Sequence, residues 1–176
     1  MLDEKGFDGW SGGYDEDIRK RQGNEYPFEG YSKTLGYIQD KVKAGKAVKI
    51  LDIGIGTGAL TEILYGEGIE ITGVDFSDKM LDLAKEKMPK GRFIKFDFNK
   101  GLPKEIEGET FNYIISSYAI HHIDDDQKIV FFKELIRTLN SFLFEILCNV
   151  RVNDKHNKAN KDHAVIIVFR REGGQL

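Results

Sequence analysis

"KILDIGIGTGALTEIL", Lys49 to Leu64, is the stretch whose reading decides the fold. A short apolar run, three glycines in alternation and an apolar-periodic segment spell a strand, a tight turn and a helix. That arrangement lets a backbone approach a nucleotide-like ligand closely. Gly54, Gly56 and Ala59 satisfy the spacing G-x-G-x-x-G/A, in which the first glycine makes the turn and the second admits a pyrophosphate. The same letters fit a second spacing, so the loop alone leaves its ligand open.

Downstream, the pattern of strand and helix repeats. "EITGVD" reads as a second strand ending at Asp75, "RFIKFD" as a third ending at Asp97, and "FNYIISS" as a fourth. The first helix is expected from Gly58 to Tyr65. Ser77 is a good N-cap for the next, which turns Met80, Leu81 and Ala84 inward. "DDDQKIVFFKELIRTLN" places Ile129, Phe132, Leu135, Ile136 and Leu139 on one helical stripe. "FLFEILCNV" reads as a fifth strand, the polar "RVNDKHNKANKD" as a loop, and "HAVIIVFR" as a last strand. Apolar strands alternating with helices predict an α/β fold: a Rossmann-like, doubly wound, mostly parallel sheet covered on both faces.

Upstream, residues 1–47 carry aromatic clusters spaced by charge. A helix is expected over Ser32 to Lys43, burying Leu35, Ile38 and Val42 and stopping at Gly45. This segment reads as an N-terminal helical cap. The chain is thus expected to be one domain over 1–176: the cap, a ligand-binding core over 48–140, and shortened C-terminal strands over 141–176.

Bulk properties narrow the function. The 176 residues suffice for one domain with a proper core. A net charge of −3 gives no general basic field for nucleic acid or an anionic membrane. The lone Cys148 excludes an internal disulfide and agrees with a reducing compartment. The N-terminus lacks a signal-peptide core, and the best apolar run, "SFLFEILCNV", is short and carries Glu145. A soluble, cytoplasmic protein is expected.

Three carboxylates sit at successive strand ends: Asp52, Asp75 and Asp97. Those ends line the crevice where doubly wound sheets bind ligands. Asp75 suits two ribose hydroxyls, a role common to dinucleotides and methyl donors. Asp52 discriminates between them. With Gly54, Gly56 and Gly58 it spells D-x-G-x-G-x-G, and a pyrophosphate beside it would be repelled by ~4 kcal/mol at about 4 Å with an effective dielectric near 20. S-adenosylmethionine reverses the sign, because its sulfonium and amino group are cationic. Asp97 can accept from the adenine amine, while Phe76, Phe96 or Phe98 offers the ring an apolar face. A dehydrogenase would also need a second domain for its substrate.

Residues 48–123 resemble the class I S-adenosylmethionine-dependent methyltransferases through "VKILDIGIGTGAL", "GVDFSDKMLDLAKEK", "KFDFN" and "FNYIISSYAIHHI". The opening "GYDEDIRK…YPFEGY" is similar to the cap of that superfamily's small-molecule branch. The resemblance implies that Gly54 and Gly56 lie along the methionine moiety, that Asp75 binds ribose, and that Asp97 and Phe98 bind adenine. It also implies that Ser116 to His121 passes near the sulfonium. In the N-terminal segment, Tyr14 is a candidate to lie over the donor, its alternative being plain packing, and Arg19 or Arg21 a candidate to pair with the donor's carboxylate. Asn112 replaces the family's usual Asp at a mainly structural position.

The implied reaction is in-line displacement of a methyl group from S-adenosylmethionine by a small-molecule acceptor. His121 is the candidate base, its alternative being to shape the pocket with His122. No metal is expected: acidic residues 124–126 suit the first turn of a helix. The Asn-Pro-Pro-aromatic signature of nucleic-acid base methylation is absent. "TLNSF" replaces the family's usual turn before the fifth strand, and the shortened end leaves Phe142, Phe144 and Ile146 as a surface for self-association. A non-catalytic donor-binding module and, more distantly, an NAD-dependent oxidoreductase are the alternatives.

Overall fold

The computed structural model describes residues 9, 11–21, 31–138, 148–150 and 164–170. Its helices are α1 (Tyr14–Arg21), α2 (Tyr31–Ala44), α3 (Glu62–Gly66), α4 (Asp78–Lys87) and α5 (Asp125–Thr138). Its strands are β1 (Lys49–Ile53), β2 (Glu70–Asp75), β3 (Arg92–Lys95), β4 (Tyr113–Ser116), β5 (Cys148–Val150) and β6 (Ala164–Arg170).

The strands form one sheet in the order β3-β2-β1-β4-β6-β5. β1 lies at its centre, parallel to β2 and β4, and β2 is parallel to β3. Side chains from both faces of β1 are buried, as a central parallel strand requires: Ile50 faces one core and Leu51 and Ile53 the other. The first core joins Ile50 and Ile115 to Ile38 and Val42 of α2, Leu64 of α3 and Ala84 of α4. The second joins Val74 and Ile114 to Phe131 and Leu135 of α5. The α/β, doubly wound and mostly parallel reading therefore holds.

The C-terminal edge differs from expectation. The sequence places a parallel fifth strand after α5, yet β6 is the neighbour of β4 and runs antiparallel to it. β5 pairs antiparallel with the outer side of β6. The seven-residue run "AVIIVFR" is rich in β-branched side chains and long enough to satisfy all of β4's open edge. The three-residue β5 is left at the margin. Phe142, Phe144 and Ile146, the surface expected to drive self-association, lie outside the described residues.

Local chemistry explains several element ends. Ser77 Oγ accepts from the Met80 amide at 3.3 Å and starts α4, whose Met80, Leu81 and Ala84 are buried as the sequence indicates. α2 buries Leu35, Ile38 and Val42 and closes where the Gly45 amide donates to the Lys41 carbonyl at 3.1 Å. α3 begins later than Gly58. Gly54, Gly56 and Gly58 have φ of 73°, 55° and 80°, so the chain makes three left-handed steps before a right-handed helix can start. Asn112 acts structurally: its Oδ1 accepts from the Val48 and Lys49 amides at 2.9 and 2.8 Å, fixing the entry to β1.

The inward stripe of α5 is rotated from the one expected: Leu135 is buried as the sequence indicates and Phe132 packs partly on the core, but Phe131 takes the place assigned to Ile129. Phe131 and Leu135 are each 1% exposed, whereas Ile129 is 61% exposed and Phe132 only half-buried. The Phe131 ring meets Phe98 edge-on at 5.4 Å and Phe132 at 5.6 Å, and this aromatic contact fixes the helix's rotation. The side chains of Ile136 and Leu139 lie outside the described residues. Among the described residues, no helix is long and apolar enough to cross a membrane.

This rotation is testable by equilibrium urea unfolding. Phe131→Ala should cost about 3–5 kcal/mol, the range for emptying a buried aromatic site. Ile129→Ala should stay within about 0.5 kcal/mol. Equal losses at the two positions would refute the assignment.

Candidate functional site

The carboxyl ends of β1, β2, β3 and β4 open into a cavity of about 630 Å³, a size ordinary for small-molecule sites. Each strand delivers its lining through the residues at or just past its end. Gly54 and Gly56 come from the β1 turn, Asp75 and Phe76 from β2, and Phe96, Asp97 and Phe98 from β3. Tyr118, Ala119 and His122 follow β4, and Tyr14 of the cap closes one side.

The floor is set by backbone geometry. Gly54 donates to the Val74 carbonyl at 2.8 Å, and a Cβ on it would stand 2.1 Å from the Ala119 Cβ, so only glycine fits. Gly56 donates to Asp75 Oδ2 at 2.8 Å, while a Cβ there would meet nothing within 4 Å. The space beside Gly56 is a cradle open to the cavity. Asp75 Oδ1 accepts from the Ser77 amide at 3.0 Å. Asp75 thus stands at the cavity wall with its two oxygens tied to the glycine loop and to the turn into α4.

Asp97 plays two parts. Its Oδ1 accepts from the Asn99 amide at 3.0 Å, capping a single 3-10 turn over Phe98–Lys100, and the residue also lines the cavity. Gly58 and Ser116, both expected at the ligand, stand behind the lining instead. A Cβ on Gly58 would strike Met88 Cε at 2.5 Å, so this glycine serves the packing of α4 against the loop. Ser116 is 1% exposed and its Oγ donates to the Ile53 carbonyl at 2.7 Å, tying β4 to β1. The His121 side chain lies outside the described residues, and it is His122 that lines the cavity.

Asp52 lies beneath the loop, 2% exposed, in a pocket of about 50 Å³ that adjoins the large cavity at Tyr14, Gly54, Gly56 and Tyr118. Its Oδ2 has no hydrogen-bond partner among the described residues. Burial pushes its carboxyl up to about 8, nearby Asp75 adds to the rise, and the Thr61 hydroxyl opposes it. Burial, chiefly, also pushes the Tyr14 phenol up to about 12, with Asp15, Asp75 and Tyr118 adding to it, and raises Tyr31 further still. Tyr31 and Tyr118 meet at 5.0 Å between ring centroids, and Tyr118 holds a left-handed φ of 55°. Tyrosine rings and a buried carboxyl with one unpartnered oxygen form an enclosure suited to a compact cation.

The sequence marks Tyr118 only as part of the segment Ser116 to His121, and nothing local pairs it with Tyr31, at a helix start, in one pocket. Sequence reading missed Asp15, which accepts from Thr57 Oγ1 at 2.6 Å, far away in the chain. The link became visible only in three dimensions.

The sequence pattern of the methyltransferase domain family matches residues 50–141, which contain the glycine loop, all three strand-end aspartates and the whole of α5. The chain belongs to that family. An uncharacterized methyltransferase of Alkaliphilus oremlandii is 34% identical over 139 residues, covering 78% of this chain and 60% of the relative. A second uncharacterized methyltransferase, from Bacillus mycoides, is 31% identical over 140 residues and likewise covered over 60% of its length. This methyltransferase domain thus spans about 60% of the length of the curated relatives it matches.

Among solved structures, an S-adenosylmethionine-dependent methyltransferase from Clostridium acetobutylicum is similar with a TM-score of 0.55 and 25% identity. The match covers 73% of this chain and 54% of that one. The amino pentose methyltransferase CalS10 of Micromonospora echinaspora shares the fold, with a TM-score of 0.56 at 20% identity over 73% of this chain and 52% of its own.

The raised Asp52 carboxyl has a consequence for stability. Its native value, about 8, lies above the unfolded one, so the native state holds the proton more tightly than the unfolded chain. Its contribution to stability is present below the ordinary carboxylate value and is lost as pH rises toward about 8. The ligand-free Asp52→Asn variant should therefore gain on wild type as pH rises. A Tm advantage growing by more than about 3 °C between pH 5 and pH 8.5, about 1 kcal/mol in a chain this size, is expected from thermal scans. An advantage that stays flat with pH would contradict the assignment.

Proposed function

We propose that this methyltransferase domain transfers a methyl group from S-adenosylmethionine to a small-molecule acceptor by in-line displacement. The observation that carries the reading is Asp52: a buried carboxylate with an unpartnered oxygen, under a glycine loop whose Gly56 leaves ligand-sized space beside it. A diphosphate there would push the Asp52 carboxyl further toward its neutral form and find no charge partner in it. A cationic head instead supplies what the carboxylate lacks.

In this reading Gly54 and Gly56 accept the amino-acid portion of the donor, Asp75 the ribose hydroxyls, and Asp97 with Phe98 the adenine. Phe76 and Phe96 add apolar surface to the same wall. S-adenosylmethionine supplies a methyl group on a sulfonium, already a good leaving group. The protein's share is alignment and exclusion of water, worth up to ~7–11 kcal/mol when reactants are well oriented. Tyr14, Tyr31 and Tyr118 screen the Asp52 pocket from solvent and offer ring faces to positive charge. No strong base is required, so His121 or His122 serves, where needed, to receive the acceptor's proton.

The acidic net charge and aromatic cap favour a small-molecule acceptor over nucleic acid or membrane. The single cysteine fits a cytoplasmic setting. The chain is read as one unit, with the cap over 1–47, the core over 48–140 and short terminal strands over 141–176.

Titration calorimetry separates this reading from its rivals. S-adenosylmethionine and its demethylated product should both bind, NAD should not, and Asp52→Asn should weaken the donor about tenfold or more, consistent with loss of a charge-assisted contact. Binding of NAD alone would overturn the proposal. Donor binding with no label transferred to any component of a metabolite extract would make the domain a donor-binding module.

A further inference from the structure

The cap helix α1 has little apolar surface with which to hold itself in place. Its sequence is YDEDIRKR, and Tyr14 is the α1 residue packed against the main core cluster among the described residues. Asp15 supplies a different kind of hold. Its Oδ1 accepts from Thr57 Oγ1 at 2.6 Å and its Oδ2 from Lys87 Nζ at 2.5 Å. Thr57 stands between Gly56 and Gly58 and is 2% exposed; Lys87 is in the last turn of α4. One carboxylate therefore joins the cap to both the glycine loop and the helix behind it. The adjoining residue, Tyr14, lines both the large cavity and the Asp52 pocket.

We propose that Asp15 is a positioning residue: it latches α1 onto Thr57 and Lys87 so that Tyr14 stays closed over the donor and slows its release. The inference rests on the methyl-donor reading of the cavity. Four features support a latch rather than permanent packing. The contacts are polar and charge-assisted, so they form in one geometry and vanish in another. The Asp15 and Lys87 side chains are partly accessible, at 34% and 23%, so water can replace each partner when the cap lifts. Glu62 Oε2 lies 3.9 Å from the same Lys87 ammonium and gives it a second carboxylate to hold once Asp15 has left. The loop that receives the latch also forms the cradle, so closure and ligand contact share one backbone segment. Segments held by few apolar contacts open at low free energy, as a cap over a ligand must.

The test compares wild type with Asp15→Ala, Asp15→Asn and Lys87→Met by hydrogen exchange over residues 14–21 and by stopped-flow dissociation of the demethylated donor product. Asp15→Ala should speed exchange in α1 and speed product release roughly tenfold, with the ligand-free Tm within about 2 °C of wild type. Asp15→Asn, which keeps an acceptor for Thr57, should fall between the two. Lys87→Met should add little once Asp15 is already Ala, because the two act as a pair. Unchanged exchange in Asp15→Ala overturns the latch. Faster exchange with unaltered product release overturns its role in retaining the donor. Wild-type protein that fails to bind the product overturns the methyl-donor reading itself, while the exchange rates still decide whether Asp15 latches the cap.

Discussion

The hydrogen bond from the Gly56 amide to Asp75 Oδ2, at 2.8 Å, sets the shape of everything around it. Gly54, Gly56 and Gly58 all take left-handed backbone angles, a path with no regular ladder to stabilise it. Asp75 reaches from the end of β2 and holds the middle of that path, while its other oxygen fixes the Ser77 amide and the turn into α4. Loop, β2 and α4 thus share one carboxylate. Remove it, and the cradle beside Gly56 loses its wall, α3 loses its starting direction, and the pocket over Asp52 loses its roof.

That arrangement also creates a tension. Asp75 lies close enough to raise the cost of a charge on Asp52, and Asp52 has almost no water to relieve it. A stable ligand-free protein would be better served by an apolar side chain at that position. The proposed donor reverses the balance, because positive charge brought into the Asp52 pocket favours the ionised carboxylate. Ligand binding and proton release are then coupled: the pocket gives up its proton as it takes in the cation. The left-handed Tyr118 belongs to the same economy, since strained residues gather where ligands supply the missing stabilisation.

Much of the fold was legible because periodicity reports burial directly. β1, β2 and β4 are buried runs, and α2 and α4 show their inward faces at helical spacing. The strand-end carboxylates were legible for the same reason, since topology puts strand ends at the crevice. The failures have physical causes. α5 carries apolar residues on more than one face, so the sequence could not say that Phe131, rather than Ile129, meets Phe98. Ser116 and Gly58 share the local pattern of ligand-contacting residues but are spent on the Ile53 carbonyl and on Met88. The order of β5 and β6 depends on which strand satisfies the open edge of β4, a non-local competition invisible to any window.

The Asp15 contact is illegible for the same kind of reason, and it changes how the cap should be understood. Aromatic residues near the start of the chain suggest a hydrophobic lid, and Tyr14 does pack that way. Yet the register of α1 is set by polar bonds to Thr57 and Lys87, groups that already have structural duties in the loop and in α4. Apolar packing tolerates sliding; a carboxylate shared between a hydroxyl and an ammonium does not. The cap therefore closes in one register, which sets Tyr14 beside the Asp52 pocket in one position. Precision at the site comes from a contact outside the cavity lining, made by a helix that the core does little to hold.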